Sequence, residues 1–248
     1  MKRTLPRSAR APLLACFIIG LGAAGLSLPT TTRQGVNFQV STHRLPLYVK
    51  LTDFFHRHYH YQLLASDITR GVRTDRERVE AVYQWTRQHI QPPPRGLTVM
   101  DDHVLNVIIR GYGTGDQAAD VFTTLCTYAG VPAFWRALHI EVGTRWLIFS
   151  FVQVDGRWVM IDVGEGIIFT DAEGRWADAE ALITSPDRLR AMGDPKTPQR
   201  VRYRDYVERL RPFEVPRMLR ARKQMPWPRI VFELRRLLRL APPQAVIP

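Results

Sequence analysis

The stretch GYGTGDQAADVFTTLCTYAGVPAFWRALHIEVGTRWLIFSFVQVDGRWVMID, residues 111 to 162, changes its hydrophobic period partway along. Its first part sets Val121, Phe122, Leu125 and Cys126 at three- and four-residue spacings. That spacing predicts a helix over 116–129 with these side chains inward and Gly130 as its C-cap. The second part is rich in β-branched and aromatic residues and predicts strands over 133–142, 146–154 and 157–163. Asp155-Gly156, between the last two, is a strong signal for a two-residue hairpin turn. Upstream, 101–110 reads as a helix closed by Gly111, with Asp101-Asp102-His103 as charge at its N-terminus. Thr74 and Glu77 have capping-box spacing, and Val79, Val82, Tyr83 and Thr86 continue one helix face until Pro92-Pro93-Pro94. Leu51, Phe54, Phe55, His58, Tyr59, Gln62 and Leu63 predict an earlier amphipathic helix. Downstream, 167–170 adds a strand before a turn at 171–174. Helices followed by a run of antiparallel strands give an α+β fold, not a doubly wound sheet.

The whole chain has 248 residues, 45% apolar and 23% charged, which excludes wholesale disorder and a polytopic membrane protein. Its net charge of +12 is concentrated in two places. Lys2, Arg3, Arg7 and Arg10 precede a segment, 11–32, that has no charge. This is the pattern of a signal anchor or signal peptide, so residues 1–30 are expected to carry the bulk of the chain to the extracytoplasmic side. Leu13-Leu14-Ala15-Cys16 has part of a lipoprotein box, but the apolar run continues past it. Residues 31–73 are expected to be a linker and an N-terminal helix, with 31–42 as the polar linker. Only Cys126 remains outside the leader, so no internal disulfide is expected.

The second concentration lies between Gln199 and Leu240, with 13 cations against four acids. Prolines break it repeatedly, and 185–248 is expected to be an arginine-rich helical extension. Its last helix, 229–240, has Ile230, Leu234, Leu237 and Leu238 on one side. Arg217, Arg220, Arg222, Lys223, Arg235 and Arg236 could hold an anionic surface. The expected topology argues against nucleic acid as that surface.

Gly111-Tyr112-Gly113-Thr114-Gly115-Asp116-Gln117-Ala118-Ala119, with Gly130-Val131-Pro132-Ala133, resembles the core of the transglutaminase-like superfamily, which shares the papain-like cysteine protease architecture. The family sets a nucleophilic cysteine at the start of a helix, a small residue four positions on, and a Gly-Ile-Pro-Ala turn fifteen positions after the cysteine. Both landmarks count back to position 115. The family's histidine stands eight residues before an Asp-Gly turn, which here is Leu147. A tryptophan and an aspartate follow, and Trp158 and Asp162 match them. The resemblance spans about 74–166, within an expected domain of 74–184, and implies helices packed on an antiparallel sheet.

The triad-equivalent positions are thus Gly115, Leu147 and Asp162, and only the third keeps its chemistry. Such acyl transfer needs a thiolate, an imidazole base and a carboxylate that orients it. Glycine has nothing to attack with, and leucine carries no proton. Cys126 lies about three turns deeper on the same helix, on its apolar face, and reads as a core residue. Asp116 fits the helix dipole better than a carboxylate pair with Asp162. His139 would need the strands re-paired and still leaves no nucleophile.

His56 and His60 share a helix face while His58 points elsewhere, and no acid stands at ligand spacing, so no metal and no cofactor are expected. The candidate cleft is Asp116, Gln117, Trp158 and Asp162. The expected function is a membrane-tethered, catalytically inactive module that binds peptide, glycan or protein. The alternative is an active hydrolase or acyltransferase with rearranged catalytic residues.

Overall fold

The structure is a computed structural model that describes residues 7–36, 39–96, 103–139, 146–193, 203–238 and 240. The chain divides into two compact units, Met1–His56 and Arg57–Pro248. The first holds helix α1 (Arg7–Leu26), strands β1 (Pro29–Val36) and β2 (Gln39–Pro46), and the start of α2 (Leu47–Ile68). The polar segment expected as a linker is therefore an antiparallel hairpin, in which Thr31 faces Arg44 and Thr32 faces His43. A run of β-branched threonines suits a strand that is polar on both faces, a pattern that hydrophobic alternation cannot reveal. Among the described residues no helix is long and apolar enough to cross a membrane. Arg7 and Arg10 open α1, and Gly20, Gly22 and Gly25 dilute its second half.

The second unit continues α2 and adds α3 (Asp75–His89), α4 (Val104–Arg110) and α5 (Gly115–Tyr128). A meander follows: β3 (Ala133–His139), β4 (Trp146–Val154), β5 (Arg157–Asp162), β6 (Ile167–Thr170), then α6 (Ala179–Thr184) and β7 (Arg190–Gly193). The five strands lie in chain order, each antiparallel to the next. The fold is α+β. The last helices among the described residues are α7 (Arg204–Val207) and α8 (Pro226–Leu237). The expected boundary at 184 is corrected by β7, which pairs with β6 and so puts part of the arginine-rich extension into the sheet.

Local chemistry sets the ends. Glu77 N–H donates to Thr74 Oγ1 while Glu77 Oε2 accepts from Thr74 N–H, which satisfies two free amides at the start of α3. Val79, Val82, Tyr83 and Thr86 are all buried. Residues 101 and 102, read as helix charge, lie outside the described residues. The α4 cap is His103, whose Nδ1 accepts from Leu105 N–H. Asp155 and Gly156 turn β4 into β5 with φ of 50° and 77°, the left-handed pair that a two-residue hairpin requires. The end of the first expected strand, 140–142, also lies outside the described residues.

Alternation along β4 divides the core. Val152 and Val154 pack with Val121, Phe122, Leu125 and Cys126 of α5. Leu147, Phe149 and Phe151 enter a second cluster with Phe134, Met160, Phe169, Leu182, Ile183 and Leu210. Each fully buried aromatic or aliphatic side chain of this kind contributes roughly 1.5–3 kcal/mol. The sheet is therefore covered on both faces, and the N-terminus of α5 is held at its edge.

Candidate functional site

The site forms around Gly115, the first residue of α5. The loop before it is fastened from three sides. Gln91 N–H donates to Gly111 O at 3.0 Å, and Gly113 N–H donates to Gln91 O at 2.9 Å. Arg110 Nε donates to Tyr112 O at 2.8 Å. Arg110 also reaches Gln117 Oε1 at 2.7 Å, an oxygen that accepts from Thr114 N–H as well. Gly113 makes this closeness feasible, because a Cβ there would lie 2.8 Å from Gln117 Oε1 and 3.1 Å from Val107 Cγ1. Gln117 thus serves as an internal cap, buried under the loop, and is not a group lining an open cleft.

Gly115 itself is exposed, and a Cβ on it would meet only Ile148 Cγ1, at 3.8 Å. That is ordinary van der Waals contact, so the position has room for a side chain that the sequence does not supply. Its neighbour across the gap is Gly164, where a Cβ would sit 3.3 Å from Gly115 Cα and 3.5 Å from Asp162 Oδ1. Gly115 and the Asp162 carboxylate therefore flank one point in space. The turn carrying Gly164 is clamped by α3, where Arg87 Nη1 donates to Gly164 O at 3.2 Å. The same guanidinium fills the space where a Cβ on Gly166 would lie.

Asp162 is 3% exposed at the end of β5. Its Oδ1 accepts from Glu165 N–H at 3.0 Å, and its Oδ2 accepts from Tyr203 O–H at 3.1 Å. Burial pushes its carboxyl up to about 7, and the Glu165 charge pushes in the same direction against the pull of those two hydrogen bonds. Tyr203 lies against Phe149 and Phe169, and burial, then the Asp162 charge, raises its hydroxyl far above the ordinary tyrosine range. The carboxylate therefore faces a tyrosine and an aromatic layer.

The other expected residues fall elsewhere. Leu147 sits with Phe134 and Phe149 in the aromatic cluster, and the β4 side chain that approaches Gly115 is the next one, Ile148. Trp158 stacks edge-on against Phe134 at 5.1 Å and lies at the far end of β5 from Asp162, about 13 Å along the strand. Asp116 is half-buried and accepts from Thr114 Oγ1 at 2.5 Å. Cys126 is fully buried in the core, where burial raises its thiol well above the usual value. His58 Nδ1 meets Tyr128 Oη at 3.0 Å. Among the described residues no three His, Cys, Asp or Glu side chains converge on a metal position.

Sequence reasoning missed Tyr203, Arg87, Arg110 and Ile148. Tyr203 stands 41 residues beyond its partner, in a proline-broken basic stretch with no period to announce it. Arg110, directly before the helix-closing Gly111, was the legible one, since a cation in the last turn can bond to the loop that follows.

Residues 62–163 match the family model described as the transglutaminase-like superfamily. Two solved structures resemble parts of the chain. One is a protein assigned as a protease from Parabacteroides distasonis, at 13% identity and a TM-score of 0.34, covering 54% of this chain and 36% of that one. The other is a protein assigned as a cysteine protease from Cytophaga hutchinsonii, at 14% identity and a TM-score of 0.38, covering 55% and 47%. The chain spans less than half the length of either. No curated protein matches it.

Proposed function

We propose that the protein is a catalytically inactive binding module built on the frame of the transglutaminase-like superfamily, whose family model residues 62–163 match. One observation carries this reading. The position where the family keeps its nucleophile is Gly115, open to solvent and with Ile148 Cγ1 as its nearest side-chain neighbour. No thiolate can form there, and among the described residues the side chain beside it is Ile148, which cannot take a proton. The surrounding frame is intact: the loop held by Arg110 and Gln91, and the turn held by Arg87. The exposed Gly115 beside Gly164 leaves room for close approach of an extended backbone, of the kind a peptide or glycan-linked peptide presents.

The leader supports a setting outside the cytoplasm. Four cations followed by an uncharged segment over 11–32 favour export or tethering of the chain through residues 1–30. The rival reading, a hydrolase with rearranged catalytic groups, draws on Asp162, whose carboxyl titrates near neutrality. Its 3% exposure and its two hydrogen bonds to the protein count against it, since a general base must reach the proton it takes.

The reading is tested by titrating the isotope-labelled chain with extended peptides and glycan-linked peptides under NMR observation. Amide shifts at Gly115 and Gly164, with the added ligand recovered unchanged, are expected. Absence of shifts at these glycines across the panel contradicts a binding role for this site.

A further inference from the structure

Helix α8 is half-buried on one side, at Val231, Phe232 and Glu233, and exposed on the other. Its half-buried side carries Phe232, with Lys223 Nζ 5.1 Å from the ring centroid. The segment before it is fastened to the body of the unit twice. Arg220 Nη2 pairs with the buried Asp120 carboxylate at 3.1 Å, and Tyr128 O–H donates to Gln224 O at 3.0 Å. At about 100° per residue, Trp227, Ile230, Leu234, Leu237 and Leu238 fall in one arc about 100° wide, on the side away from Phe232. These five are between 48% and 81% exposed. A soluble surface rarely leaves such a contiguous apolar arc uncovered.

The charge of the segment that carries the arc points to the occupant. From Val215 to Leu240 the sequence has eight cations and one acid, Glu233. That acid is already held by Arg229 at 2.6 Å and Arg236 at 3.0 Å. Two copies pairing through this face would bring two such basic segments against each other. An anionic bilayer surface satisfies both halves at once, because acyl chains accept the leucines and tryptophan while phosphates accept the arginines. We propose that α8 is an interfacial helix that lies on anionic phospholipid, with Trp227, Ile230, Leu234 and Leu237 immersed and Arg222 and Arg235 at the headgroups. This contact does not depend on the leader or on the Gly115 site.

The test uses the full chain and a local probe, because residues 1–30 could recruit the protein to vesicles by themselves. An environment-sensitive fluorophore is placed at Ile230→Cys in a Cys16→Ser background, Cys126 being fully buried. The same label at Ile109→Cys, exposed on α4, serves as the control. With equimolar phosphatidylglycerol–phosphatidylcholine vesicles, a blue shift is expected at 230 and not at 109, with little response to phosphatidylcholine alone. Arg222→Gln and Arg235→Gln are each expected to weaken the anionic-vesicle response about fivefold. Leu234→Ser with Leu237→Ser should abolish it while circular dichroism is unchanged. An absent shift at 230, or an equal shift on neutral vesicles, overturns the proposal. So does a vesicle-free shift that rises with protein concentration, which assigns the face to a second copy, or one produced equally by polyglutamate, which assigns it to an acidic protein.

Discussion

A carboxyl group as enclosed as Asp162 ionises at a cost, and the sign of that cost is open to measurement. Its pKa is about 7 in the folded chain, against an ordinary value of 3.8. Below pH 4 the group is protonated whether the chain is folded or not, and it takes nothing from stability. Between about pH 4 and 7 the unfolded chain releases this proton and the folded chain keeps it, so stability falls as pH rises through that window. Asp162→Asn mimics the neutral acid and can keep both partners, accepting from Glu165 N–H and donating to Tyr203 Oη. The variant is therefore expected to be more stable than the parent at pH 8, by a few kcal/mol at most. The two should converge near pH 4, as read by denaturant unfolding at each pH. Equal stability of the two at pH 8 would mean that the carboxylate is not held at a cost. The sequence identified Asp162 through its spacing from Asp155-Gly156 and Trp158, but nothing in it disclosed Tyr203. The partner of a buried acid is set by tertiary packing, which leaves no local period.

Elements were legible where two independent signals agreed. The capping box at Thr74, the glycine closing α4, and the Asp-Gly turn each combine a local hydrogen-bonding reason with a hydrophobic period. The α3, α5 and β4–β5 elements accordingly stand where they were expected. β1, β2 and β7 had neither signal. The threonine-rich hairpin is polar throughout, and Arg190–Gly193 is a four-residue strand defined by its neighbour β6. The register of β4 matters most for the site. Alternation sends Leu147 into the aromatic layer and leaves Ile148 on the side of Gly115, so counting residues back from the turn located the strand but not the side chain that faces the gap. That aromatic layer should dominate the stability of the sheet. Phe151, fully buried between Phe134 and Phe213 at ring separations of 5.0 and 5.2 Å, is the position to probe. Phe151→Ala is expected to cost about 3–5 kcal/mol in denaturant unfolding. A loss below about 1 kcal/mol would mean that the layer is not a packed core.

At the scale of the molecule, charge was legible and its arrangement was not. The sequence located the basic excess beyond Gln199, and its helical period beyond Arg229 was visible. It could not show that the segment is pinned by Asp120 and Tyr128, with the apolar arc of α8 facing outward. The same holds for the site, where Gly115 was read from spacing as the equivalent of the family's nucleophile position, while the room left beside it became visible only in three dimensions. The account rests on that vacant position being chemically silent. The most direct measurement incubates the chain with a panel of peptide and amide acyl donors beside an Asp162→Ala control and follows product by mass spectrometry. No turnover by either protein, with both folded, is the predicted result. Turnover by the parent chain that disappears in Asp162→Ala would contradict the account and make the buried aspartate a working catalytic group.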